Sequence, residues 1–211
     1  IVHTDAVQGL PWLDLASSAA GVDLLSITGH KLGGPQGVGA LAIRSGRTLA
    51  PMLVGGGQER ERRAGTQNVA GVVGFAAAVR ASLDDRTERL TRIERLAARL
   101  LEGLCHEVDG IAPTVAPGTR VPGIVHVCVP GVDSESLLFL LDEQHLACSA
   151  ASSCASGAQG ASHVLSAMGL DTTDRAPLRL SLGWSTSDAD IDAALEIIPA
   201  AVARLREHRR G

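Results

Sequence analysis

Lysine is almost absent from this chain. Among 211 residues Lys31 stands alone, and every other member of the 19 Lys and Arg is an arginine. Other absences narrow the class of protein. There is no long basic block and the formal net charge is −4, which makes nucleic acid and anionic membrane poor default partners. The basic end "RLREHRRG" is short and reads as a solvated helix terminus. No C-x-x-C pair occurs among Cys105, Cys128, Cys148 and Cys154, so free thiols in a reducing compartment are expected rather than a disulfide framework. No apolar run reaches the roughly 18 residues needed to span a bilayer, and no signal peptide is visible. There are no internal repeats or low-complexity tracts. Methionine is missing at the start, and "IVHTDAVQG" opens inside what reads as a buried strand, so a cut from a longer chain is expected.

What is present alternates between strands and helices. "IVHTD" is a β-branched strand ending at Asp5, and "VDLLSIT" (22–28) is a continuous apolar run typical of a strand buried on both faces. "VGALAIR" (38–44) follows across a glycine-rich turn. "NVAGVVGFAAAVRASL" (68–83) reads as a buried helix, and 84–104 as a long amphipathic one. A Pro- and Gly-rich stretch, 111–123, then opens a second region. There strand "IVHVCVP", helix "DSESLLFLLDEQ", extended "LACSA", the turn "SSCASGAQG", helix "ASHVLSAMG", strand "LRLSLG" and a last helix from Ser187 succeed one another. Ser187 followed by acids is a good helix N-terminus. The boundaries expected are 1–83 for an α/β piece, 84–109 for a connecting helix, and 110–211 for a smaller α/β or α+β domain.

The lone lysine sits among Gly29, Gly33 and Gly34, just after a strand. Glycines there let backbone approach a ligand, and a phosphate can use the turn's amides with the Thr28 hydroxyl and the His30 ring. A P-loop is excluded, because there is no G-K-[ST] and the lysine precedes the glycines. A lysine amine can form a Schiff base with a carbonyl cofactor, and pyridoxal phosphate (PLP) also needs a carboxylate on its pyridine nitrogen. Asp5 ends one strand and Lys31 follows another, so both are expected at one carboxyl edge of the sheet, with Gln8 one turn beyond Asp5. Taken singly, a strand-end aspartate is an ordinary helix cap and a turn lysine an ordinary solvated one. The ordered set points to function.

Among the thiols, Cys154 lies in "SAASSCASGAQGASH", among Ser, Ala and Gly where nothing bulky packs it, and is the candidate nucleophile. Cys105, Cys128 and Cys148 are expected to be buried and inert. Cys148, Cys154 and His163 match no common zinc spacing, and no metal is expected.

"HTDAVQ", "SITGHKLGGPQGVGALAIR", "GGGQERERRAGTQNVAG", "SSCASGAQGASHVLSAMG" and "LRLSLG" occur here in the order found in cysteine desulfurases of the NifS/IscS type. The chain resembles roughly the second half of such an enzyme, in the class V aminotransferase branch of the fold-type-I PLP enzymes. The resemblance implies an α/β PLP-dependent transferase fold, here the end of the large domain plus the small C-terminal domain. It implies that Lys31 is the Schiff-base lysine, Asp5 the partner of the pyridinium nitrogen, and Gln8 the residue on the phenolic oxygen. Thr28 and His30 match phosphate-binding positions. Thr66 matches a threonine reaching the partner subunit's phosphate, hence a homodimer. Arg179 matches the arginine that pairs with the substrate carboxylate, a task suited to a bidentate guanidinium. Cys154 matches the loop cysteine that takes sulfur from L-cysteine as a persulfide, leaving L-alanine, and passes it to a scaffold or thiolation acceptor in the cytoplasm. A mobile loop suits sulfur collected inside a site and released outside it.

Three positions depart from the family pattern: Trp184 where arginine is usual, Gln36 where lysine is common, and Ala161 where proline is common. The ring-stacking histidine, the phosphate loop and the asparagine near the phenolic oxygen have no counterpart in these residues, so activity of this stretch alone is not expected. Two other readings are another class V enzyme (an aminotransferase or a selenocysteine lyase) and an inactive truncated fragment. The setting of Cys154 argues against transamination, which needs no loop nucleophile.

Overall fold

The computed structural model describes residues 1–116, 118–150, 162–170 and 173–210. Contacts divide the chain into two compact units, Ile1–Glu88 and Arg89–Gly211.

In the first unit, strands β1 (His3–Asp5), β2 (Leu24–Thr28) and β3 (Gly39–Ile43) form a sheet in that order. β1 and β2 are parallel, pairing His3 with Leu24 and Asp5 with Ser26; β2 and β3 are antiparallel, pairing Leu24 with Ile43 and Thr28 with Gly39. The crossover between β1 and β2 holds a one-turn helix α1 (Leu15–Ser18), whose N-terminus is capped by the Asp14 carboxylate accepting from the Ala16 amide. Asp23 pins the opposite end of the sheet. Its carboxylate accepts from the Val2 amide and from Arg47 Nε, each at 2.8 Å, and these bonds hold it below the usual aspartate range. Beyond β3 the chain runs through α2 (Gln58–Glu61), a distorted turn with Glu59 and Arg60 at positive φ, into α3 (Val69–Asp84). Asn68 caps α3 by accepting from the Gly71 amide at 3.0 Å.

The apolar run "VDLLSIT" forms β2 as expected, but every residue of the strand is only half-buried. Its neighbours expose Val2 and Leu41. This chain covers the faces of its first sheet only in part, whereas a strand buried on both faces was expected from the pattern.

The second unit has the fuller core. Strands β4 (Ala112–Pro113), β5 (Ile124–Pro130) and β6 (Arg175–Ser181) make an antiparallel sheet in that order. Strict alternation puts Val125, Val127, Val129, Ala176, Leu178 and Leu180 on a buried face. Against them lie apolar stripes at three- and four-residue spacing from three helices: α4 (Arg86–Glu107), α5 (Ser134–Glu143) and α7 (Asp188–Arg210). Ile93, Leu96, Leu100 and Leu104 of α4 are almost fully buried, as are Leu137 and Leu141 of α5 and Ile198 and Val202 of α7. The helix expected as a connector over 84–109 thus supplies core to the second unit. A short α6 (His163–Ala167) precedes β6. Ser187 and Asp190 cap α7 reciprocally: the Ser187 amide donates to Asp190 Oδ2 at 2.8 Å and the Asp190 amide to Ser187 Oγ at 3.3 Å. No helix among the described residues is long and apolar enough to cross a membrane.

Candidate active site

The parallel pairing of β1 and β2 decides where the candidate residues go. Both strands run the same way and both end at one carboxyl edge, β1 at Asp5 and β2 at Thr28. Asp5 is exposed there, with Oδ1 accepting from the Val7 amide at 3.0 Å, so the carboxylate is oriented but unpaired with a cation among the described residues. Gln8 follows on an exposed turn closed by the Gly9 amide donating to Ala6 O.

Lys31 lies in a 3-10 turn, His30–Leu32, directly after β2. It is exposed and makes no hydrogen bond or ion pair among the described residues. The turn is tied back by Gly29 N to Val38 O at 2.9 Å and Gly34 N to Gly29 O at 3.0 Å. Gly33, at φ 77°, takes the left-handed conformation that ends the turn. Gly34 and Gly74 serve packing. A Cβ on Gly34 would stand 2.8 Å from Ala78 Cβ, and one on Gly74 would stand 2.6 Å from Pro35 Cγ. Gly34 and Gly74 thus let the lysine turn dock on α3.

Thr28 Oγ1 lies 2.9 Å from His30 Nδ1 and 3.3 Å from Val38 O. The hydroxyl–imidazole contact, whose direction depends on the histidine tautomer, engages His30 through Nδ1. That leaves His30 Nε2 as the ring's outward nitrogen. Thr66 is exposed in the loop before α3, next to Gly65, whose amide donates to Gln58 Oε1 at 3.2 Å. The structure thus brings Asp5, Gln8, Thr28, His30 and Lys31 to one sheet edge of the first unit.

Arg179 is in the second unit, half-buried on β6. Its backbone is bonded on the outer side to Ser149, with Arg179 N donating to Ser149 O at 2.7 Å and Ser149 N to Arg179 O at 3.2 Å. This bridge is what the extended "LACSA" segment becomes. Cys154 lies outside the described residues. Of the other thiols, Cys128 is buried and Cys148 half-buried, and burial pushes both thiols up; Arg175 pulls Cys128 slightly back, while Asp142 pushes Cys148 further. Both therefore stay protonated and unreactive near neutral pH. Cys105 corrects an expectation: it is exposed on the outer side of α4, where a buried position had been read. Trp184 is exposed, and its carbonyl accepts from Arg92 at 2.7 Å.

Residues 1–194 match the family model described as aminotransferase class-V. The chain belongs to that family. It is 44% identical over 207 residues to an IscS-like cysteine desulfurase of Mycobacterium tuberculosis, covering 97% of this chain and 53% of that protein. It is 40% identical over 210 residues to a cysteine desulfurase of Sinorhizobium fredii, covering 99% and 54%. Among solved structures, a NifS-like protein superposes with a TM-score of 0.85 at 32% identity, covering 97% of this chain and 53% of the other. A NifS-like protein from Rickettsia africae gives 0.83 at 30%. The chain spans about half the length of the relatives it matches. The fold-type-I architecture expected from the motifs agrees with these neighbours.

Class V enzymes use PLP, and the edge residues fit that group chemically. They supply one amine, one carboxylate, and a hydroxyl–imidazole pair beside turn amides, all on adjoining strand ends. Two residues of this structure went unnoticed in the sequence. Trp12 is buried with its indole N–H unpartnered among the described residues, and His126 of β5 stands opposite Arg179 of β6. A polar residue inside the alternation of "IVHVCVP" was the available signal for the second.

Proposed function

We propose that this chain is the Lys31- and Cys154-bearing half of a PLP-dependent cysteine desulfurase, which converts L-cysteine to L-alanine and carries the sulfur as a persulfide on Cys154. One observation carries the reading: the chain's sole lysine lies at the same carboxyl edge as Asp5, in a chain 44% identical to an IscS-like desulfurase. When bound, the cofactor's ring supplies an electron sink for the substrate's α-carbon.

The residues do the rest. Asp5 would keep the pyridine nitrogen protonated and Gln8 would bond the phenolic oxygen. The Thr28 hydroxyl and His30 take the phosphate, with Thr66 reaching the partner subunit's phosphate in a homodimer. Lys31 would hold the cofactor through its amine, and as a free amine it would take and return protons at the substrate's α-carbon. Arg179 pairs with the substrate carboxylate. The Cys154 thiolate attacks the substrate sulfur; the carbon–sulfur bond breaks, a sulfur–sulfur bond forms, and the carbon fragment takes up a proton to leave as alanine. The persulfide passes to a sulfur-acceptor or scaffold protein for iron–sulfur cluster assembly or tRNA thiolation, in the cytoplasm.

The test is borohydride reduction of the full-length protein after PLP loading, followed by peptide mapping. The label is expected on the peptide holding Lys31, and a label on an amine elsewhere, or none, contradicts the assignment.

A further inference from the structure

Strand β5 has two faces. Its valines enter the core, while Ile124, His126, Cys128 and Pro130 take the other side. The register sets His126 directly opposite Arg179 on β6, so the two side chains share a face with Cβ atoms about 4.5–5.5 Å apart. On the other flank of β5, Thr114 Oγ1 lies 3.1 Å from His126 Nδ1, and the Thr114 amide donates to His126 O at 3.1 Å. Ser149 fixes the far side of Arg179 through both of its backbone bonds. Thr114, His126, Arg179 and Ser149 thus form one row across the sheet.

We propose that His126 is a positioning residue for Arg179, which holds the guanidinium in place and strengthens its capture of the substrate carboxylate when the imidazole is protonated. The inference rests on the carboxylate-binding role proposed above for Arg179. Thr114 holds the imidazole from the Nδ1 edge.

Burial lowers the pKa of His126, and the charge of Arg179 lowers it further. Among the described residues the other groups facing it are few. Arg175 stands further along β6, opposite Pro130, and Cys128 is on its own strand. Cys148 adjoins Ser149, with Asp142 of α5 beside it, and both thiols are pushed up. Thr114 carries no charge. His126 is therefore the member of the row whose charge changes as pH falls below the ordinary histidine range. A carboxylate on Arg179 offsets part of the positive charge that His126 feels and raises its pKa. By reciprocity, protonated His126 binds that carboxylate more tightly, and affinity rises as pH falls through the histidine's titration.

Two measurements decide this. The first is an NMR titration of His126 in the 211-residue chain. Arg179→Gln is expected to raise its midpoint by roughly 0.5–1 pH unit, as for unit charges ~6 Å apart in a half-hydrated setting, while Arg179→Lys keeps it low. An unchanged midpoint in Arg179→Gln overturns the pairing. The second is binding of 3-mercaptopropionate, a carboxylate without an amine, to the full-length, PLP-loaded protein between pH 5.5 and 8. The ratio of dissociation constants, His126→Gln over wild type, is expected to grow roughly three- to tenfold towards the acid end. His126→Asn gives the same comparison should the glutamine disturb folding. A ratio flat with pH, with affinity still lost in Arg179→Gln, overturns the inference and leaves the role of Arg179 standing. Affinity unchanged in Arg179→Gln overturns both.

Discussion

At the scale of single residues, two thiols six positions apart receive opposite assignments. Cys148 is half-buried beside Asp142 and held protonated, whereas Cys154 is flanked by small residues in the sequence. Cys154→Ala is expected to abolish alanine formation in the full-length, PLP-loaded protein while leaving the cofactor's absorbance intact. Cys148→Ala is expected to keep most of the rate, and the reverse pattern would move the nucleophile to Cys148. His126 gives a second expectation, in stability. Its native pKa lies below the ordinary value of about 6.5 shown by an unfolded histidine, so the unfolded chain takes up the proton first. The stabilisation is complete above that value and is lost as pH falls below it. Urea midpoints at pH 7.5 and 5 should therefore draw closer in His126→Gln than in wild type. An equal acid loss in both would assign the effect to other groups.

At the scale of elements, the lysine turn depends on how it docks. Gly34 meets Ala78 and Gly74 meets Pro35, so the turn and α3 interlock through positions where no side chain fits. Gly74→Val is expected to overpack this contact, cost about 1–3 kcal/mol in unfolding free energy, and weaken PLP retention. A variant with wild-type stability and cofactor affinity would show that the contact positions nothing. The elements differ in how far their sequence announced them. "IVHVCVP" became β5 from Ile124 to Pro130, because strict alternation leaves one choice of face. Ser187 and its acids became a reciprocal cap, because that bond is local. The roles of Gly34 and Gly74 were hidden, since their neighbours are 44 and 39 residues away (Gly34 to Ala78 and Gly74 to Pro35). His126 was hidden for a similar reason: only strand pairing puts it opposite Arg179. The edge of Asp5 and Lys31 was legible, since two strand ends in a parallel pair share an edge wherever the register falls. The surface position of Cys105 was not, because helix periodicity leaves the last turn's orientation loosely set.

At the scale of the whole molecule, the first unit's sheet is half-covered and exposes Val2 and Leu41, and α3 exposes Val69, Val72 and Val73. The relatives are about twice as long. The 211 residues by themselves are expected to bind PLP weakly, keeping Asp5, Gln8, Thr28, His30 and Lys31 but missing a ring-stacking side chain and further phosphate ligands. Each such contact is worth about 1–3 kcal/mol, so losing two or three weakens binding by roughly two to several powers of ten. Titration calorimetry checks this, and micromolar stoichiometric binding with cysteine turnover would show the half to be sufficient. The central claim is sulfur transfer from substrate to Cys154 in a site built on Lys31. Its most direct measurement is mapping of sulfur-35 after the full-length, PLP-loaded protein meets labelled L-cysteine, with persulfides trapped by alkylation. The label is expected on the Cys154 peptide, at up to one sulfur per chain, and is expected to vanish in Lys31→Ala. Label on another cysteine, or label at Cys154 that persists without Lys31, would contradict it.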